Sequence, residues 1–209
     1  MKRILRRADD VLRGRSASNP WGLVLTCGLA YGAVMGLYEG RAWQVIFSSI
    51  KVPLLLLATF ALSLPSYFVI NTLMGVRSDF PEAVRAIVVS EATLTIILAS
   101  LAPLTLFWYA SSTGYHAAIL FNGAMFAGSS LAAQIVLVRG YRPLIARSSR
   151  HRILLWTWMI IHAFVGIQMG WSLRPFIGSS GVPTQFFRRG GDENAYLLIG
   201  RMILGSWSD

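Results

Sequence analysis

Residues 52–75 read VPLLLLATFALSLPSYFVINTLMG, a run of 24 positions without a charged side chain. As an α-helix this run is about 36 Å long, more than the roughly 30 Å hydrocarbon core of a bilayer. Pro53 stands near its start, where a missing N–H costs little. Pro65 stands in its middle, where it predicts a kink. The run therefore reads as a membrane span, and it sets the scale for the rest of the chain.

Four more apolar runs lie on either side, at about 21–38, 86–110, 116–138 and 153–173. The pattern predicts an all-α membrane protein with five transmembrane helices, its membrane domain covering residues 20–174. Residues 39–51, with Glu39, Arg41 and Lys51, read as a connection at the interface. Residues 76–85 form a charged loop, 111–115 an uncharged turn and 139–152 the most basic loop. Trp108, Tyr109, Trp156, Trp158 and Trp171 stand near span ends, where amphipathic rings settle at the headgroup level. Over all 209 residues, 55% are hydrophobic and 13% charged, against roughly 25% charged in a soluble domain. The net charge of +10 does not point to nucleic acid, because the basic residues sit in short clusters between apolar runs.

The two ends are different in character. Residues 1–19 carry Lys2, Arg3, Arg6, Arg7, Arg13 and Arg15, with Ile4, Leu5, Ala8, Val11 and Leu12 at helical spacing. They read either as an amphipathic helix on an anionic surface or as a basic tail that only fixes topology. The glycine-broken run 21–38 lacks a small-x-small cleavage pattern, so it reads as a retained span rather than a signal peptide. Residues 175–209 read as a tail ending in a short helix, 193–207, that is interfacial or re-entrant. With the N-terminus inside, thirteen Lys and Arg fall on inner segments and six on outer ones. The positive-inside rule then places the C-terminus outside. A bacterial inner (cytoplasmic) membrane is the expected location.

Chemistry-bearing groups are few. Cys27 is the single cysteine and lies in an apolar run, which leaves no internal disulfide. His116, His151 and His162 stand in different segments, and neither a metal nor another cofactor is expected. The chain has no P-loop, no GxGxxG and no HExxH. Gly178-Ser179-Ser180-Gly181 has no obvious catalytic partner, so no enzyme is expected. Gly28, Gly32 and Gly36 form one small-residue face, and Gly166 with Gly170 a second. Such faces either pack helices within one protomer or bind a membrane-protein partner or a second copy.

Glu91 is the acidic residue set well inside a span, and a charge there is expensive unless neutralised or paired. Counting residues from the predicted span ends places Thr26, Asn71, Glu91 and Gln134 in one inner layer. Asn122 and Gln168 fall in an outer layer, with His162 near the midplane. This set reads either as a proton or cation site centred on Glu91 or as a hydrogen-bonded cluster that fixes helix register. Arg139, Arg142, Arg147, Arg150 and Arg152 inside, and Arg174, Arg188 and Arg189 outside, either contact anionic lipid or a partner or simply set topology.

Asn71-Thr72-Leu73-Met74-Gly75, then Ser78-Asp79-Phe80-Pro81-Glu82-Ala83 and an apolar run reaching Pro103, resemble the Yip1-type five-span membrane family over about residues 50–140. The resemblance implies a non-catalytic membrane protein that works through partners. The family's eukaryotic N-terminal motifs have no counterpart in residues 1–19. From the sequence, the expected function is a non-enzymatic membrane scaffold or assembly protein. The alternative is a small transporter or channel component with Glu91 as the coupling group.

Overall fold

The computed structural model describes residues 19–112, 114–178 and 183–187. Residues 1–18 of the expected basic segment 1–19 and the tail helix 193–207 lie outside them, as do Arg188 and Arg189. The described residues form five helices: α1 (Pro20–Gly36), α2 (Ala42–Leu73), α3 (Phe80–Ser111), α4 (Tyr115–Arg147) and α5 (Arg150–Ser172). Two 3-10 turns, Tyr38–Gly40 and Arg77–Asp79, precede α2 and α3. Helices α2 to α5 are each long and apolar enough to cross a membrane, while α1 has 17 residues.

The helix ends have local causes. Asn19 caps α1, its Oδ1 accepting from the Gly22 N–H at 2.9 Å, with Pro20 in the first turn. Gly75 ends α2 at φ +71. Its N–H reaches the Thr72 carbonyl, and the Val76 N–H reaches that of Asn71. This paired closure needs a residue in the left-handed region, which glycine enters without penalty.

Three expected connections prove to be helix. Residues 42–51 are the first turns of α2, 80–85 the first turns of α3 and 139–147 the last turns of α4. Charged residues mark the edge of the apolar run, but they do not break a helix. Arg and Lys are good helix formers that carry their charge to the surface on long stems.

Helix α1 packs against α2 and α3, α3 against α4, α4 against α5 and α5 against α2. Helix α3 is the central element, and every residue from 90 to 96 is buried. Two apolar cores stack along the bundle. One joins Leu23, Val24, Tyr31, Val52, Leu56, Leu98 and Ala118. The other joins Phe60, Ile87, Val88, Leu137, Leu154 and Trp158. Trp21, at the start of α1, packs edge-on against Phe60 at 5.0 Å, thirteen residues before the end of α2 at Leu73. Helix α1 therefore starts beside the middle of α2.

Candidate functional site

Glu91 lies on α3 between Val88, in the core around Phe60 and Trp158, and Ala92, in the core around Tyr31 and Leu56. It is 5% exposed. Its Oε1 stands 3.0 Å from His162 Nε2 on α5. The pair thus links α3 to α5 in the interior of the bundle. Trp158, one turn earlier on α5, stacks on the imidazole at 5.1 Å and so orients it. Each member keeps a second buried polar atom, Glu91 Oε2 and His162 Nδ1, with no hydrogen-bond partner.

Gln134 belongs to the same level. The Ser90 hydroxyl donates to the Ala133 carbonyl of α4 at 2.9 Å, which sets α3 and α4 in register beside Glu91. Gln134 Oε1 is buried and also unpartnered. Glu91 is eleven residues beyond Phe80, His162 twelve beyond Arg150 and Gln134 thirteen before Arg147. All three stand about 17–20 Å along their helices from the ends at Phe80, Arg147 and Arg150.

The expected inner layer is therefore corrected. It keeps Glu91 and Gln134 and gains His162, but it loses Asn71 and Thr26. Asn71 is buried two residues from the end of α2, nearer that end than Glu91 and Gln134 are to the matching ends of α3 and α4. Thr26 lies on the exposed side of α1, its hydroxyl donating to the Gly22 carbonyl. Of the expected outer pair, Asn122 is buried in a complete network. It accepts from the Tyr31 hydroxyl at 3.1 Å and donates to the Tyr109 hydroxyl at 2.7 Å and the Ala118 carbonyl at 2.8 Å. That network ties α1, α3 and α4 together and leaves no amide atom of Asn122 unpaired. Gln168 is half-buried on α5.

The first glycine face is consumed within the protomer. A Cβ on Gly32 would lie 2.4 Å from the Ser48 carbonyl oxygen, and one on Gly36 2.7 Å from that of Gln44. A Cβ on Gly28 would meet Pro53 at 3.3 Å, and Gly166 faces Thr59 of α2, while Gly170 stands open.

Sequence reasoning missed a second buried group, near the start of α2 and the chain that follows α5. Lys51, expected in a loop, is fully buried in α2. Its ammonium donates to the Pro175 carbonyl at 2.6 Å and lies 5.0 Å from the Phe186 ring centroid. Gln44 Nε2 donates to the Phe176 carbonyl at 3.0 Å, and the Ser48 hydroxyl donates to the same oxygen. The segment after α5 is thereby clasped onto α2. Positions 44, 48 and 51 share one helical face, a signal that appears only once 42–51 is read as helix.

The arginines divide. Arg139, Arg142 and Arg152 are exposed. Arg147 pairs with Glu82 at 2.5 Å, and Arg150 donates to the Met74 carbonyl at 2.8 Å. Beside them, His151 Nε2 meets Asp79 Oδ2 at 2.9 Å. The Arg174 guanidinium stands 3.4 Å over the Trp171 ring. Among the described residues, no three His, Cys, Asp or Glu side chains gather as a metal site. Comparison with protein-family models, curated proteins and solved structures finds no match to this chain.

Proposed function

We propose that this chain is a non-enzymatic, five-span membrane protein of the bacterial inner membrane, cytoplasmic at its N-terminus. In this reading it acts as a small transporter or channel component that binds and releases a proton at Glu91–His162. The observation that carries the reading is the pair itself, a buried carboxylate and imidazole 3.0 Å apart across the bundle. Whether the proton sits on nitrogen or oxygen, a pair holding one proton is neutral. Adding or removing a proton leaves a net charge in an apolar interior, at a cost of several kcal/mol. Proton movement is therefore coupled to repacking around the pair or to a compensating ion. The pair's place at the seam between two stacked cores supports such coupling.

Potential-driven proton uptake into liposomes tests this. The wild-type chain is expected to exceed protein-free vesicles, and Glu91→Gln and His162→Gln to fall to the vesicle background. Undiminished uptake by a well-folded Glu91→Gln would sink the reading.

The scaffold reading, the class implied by the Yip1-type resemblance, keeps one support. Gly123, Gly128 and Gly170 have open space where a Cβ would stand, room for a helix from another chain. A stable hetero-complex in mild detergent, with no proton uptake, is the outcome that favours it.

A further inference from the structure

The end of the bundle at Phe80, Arg147 and Arg150 carries a charge that its own carboxylates do not balance. Asp79 and Glu82 are the carboxylates described there, and both are engaged. Asp79 meets His151 at 2.9 Å, and Glu82 holds Arg147 through both oxygens, at 2.5 and 3.4 Å. Arg150 is bonded to the Met74 carbonyl, and Arg77 lies over the Phe68 ring. Arg85, Arg139, Arg142 and Arg152 remain, all exposed.

Two of these four share a place. A Cβ on Gly140 of α4 would lie 3.1 Å from the Ala86 Cβ of α3, so the two helices touch there through their smallest side chains. Arg85 and Arg139 each precede that contact by one residue. Helices α3 and α4 are antiparallel, joined through residues 112–114. In such a pair, one step back along each chain turns the side chain toward the same side. The opposite side is the one on which Leu137, Tyr141 and Leu144 enter the core. Arg85 and Arg139 thus flank one surface furrow, and their long stems let both guanidiniums reach a single anion in it.

We propose that this furrow binds one anionic phospholipid, its phosphodiester held between Arg85 and Arg139. Guanidinium groups match phosphate oxygens with paired, charge-assisted hydrogen bonds. Arg139 directly follows the apolar run 116–138, so it stands at the boundary where headgroups begin. Ile135 and Leu131, one and two turns from Arg139 on the same face of α4, are 55% and 69% exposed. They offer the acyl chains an apolar lane, which a free phosphate ion has no use for. A headgroup amine would find no carboxylate to receive it, because Asp79 and Glu82 are taken. The site therefore favours a headgroup with net negative charge over a zwitterionic one. Residues 1–18, with six basic and two acidic side chains, have the wrong sign to fill it. The inference needs α3 and α4 to lie in a membrane and is independent of the proton reading.

The test is native mass spectrometry of the purified full chain in mild detergent, with phosphatidylglycerol or phosphatidylcholine added in steps. Wild type is expected to bind the first phosphatidylglycerol about tenfold or more tighter than phosphatidylcholine, as two surface arginines would give. Arg85→Gln and Arg139→Gln are each expected to weaken it about fivefold. Arg152→Gln removes the same charge from α5 and is expected to stay within about twofold. Equal affinity for the two lipids overturns the site. An equal loss in Arg152→Gln also overturns it, since a diffuse field would not single out the furrow. Excess glycerol 3-phosphate is expected to leave the lipid bound, and displacement would overturn the lipid assignment in favour of a small phosphate. Should a glutamine variant fail to fold, Arg85→Lys combined with Arg139→Lys carries the test. It keeps the charge and loses the paired hydrogen bonds, so about fivefold weakening is expected. Unchanged binding by that variant overturns the site.

Discussion

A methyl group added at Gly32 would press to 2.4 Å from a backbone oxygen and 2.8 Å from the Ser49 Cα. Neither atom can rotate away, so α1 and α2 would have to separate. Gly32→Ala and Gly36→Ala are each expected to destabilise by about 1–3 kcal/mol, the usual cost of overpacking. Gly170→Ala, which meets open space, should stay within about 0.5 kcal/mol. Thermal or denaturant melts of the three variants in one detergent check this contrast, and equal losses would refute the assignment of the glycine face to α2. The GxxxGxxxG row was legible as a close approach of two helices, but which helix approaches was not. Glycine spacing records the partner's distance and nothing about its identity. The same limit holds for Glu91. Its isolation inside an apolar run marked it as a group needing a partner. His162 lies 71 residues away on α5, so no local periodicity could join them.

Helix α2 shows where element-scale reading succeeds and where it stops. The apolar run 52–75 located its membrane portion, yet the helix begins ten residues earlier, at Ala42. Hydropathy senses the lipid boundary, whereas helix ends are set by backbone closures such as the one at Gly75. The consequence reaches the chain after α5, because Gln44, Ser48 and Lys51 all lie in the unexpected turns and all bond to it. A hydrogen bond to a charged group contributes about 1.5–3 kcal/mol. Lys51→Met keeps the side chain's bulk and removes that bond, leaving the Pro175 carbonyl with Gln44 Nε2 at 3.3 Å. Amide hydrogen exchange over residues 176–178 is expected to quicken by about tenfold or more, since each 1.4 kcal/mol is a factor of ten. Exchange at the wild-type rate would mean that the aromatic and backbone contacts hold the segment without the ammonium.

For the whole molecule, the question is how a bundle with one short helix sits in the bilayer. Helices α2 to α5 have 23 to 33 residues, enough to cross the hydrocarbon core. Helix α1, with 17 residues, is about 25 Å long, several ångströms short of it. It also starts partway along α2, beside Phe60. A helix this short crosses only where neighbours or local thinning of the bilayer cover its polar ends. The buried link from Tyr31 through Asn122 to Tyr109 ties its outer half to α3 and α4. The basic residues preceding α1 match those of the 76–85 and 139–152 segments in favouring the cytoplasmic side. On the five-span proposal, α1 crosses with the N-terminus on the cytoplasmic side. The check is cysteine labelling from outside intact cells, with Cys27 replaced by serine. Single cysteines at Trp43 and Ser111, near outer helix ends, should react with an impermeant reagent. Those at Ser18 and Ser78 should react only after the membrane is opened. Reaction of Ser18 together with Trp43 would mean that α1 returns to the side it began on, leaving a four-span bundle with α1 inserted from outside. In that arrangement the start of α1 would face the outer solution, and the Glu91–His162 seam would be reached from that side.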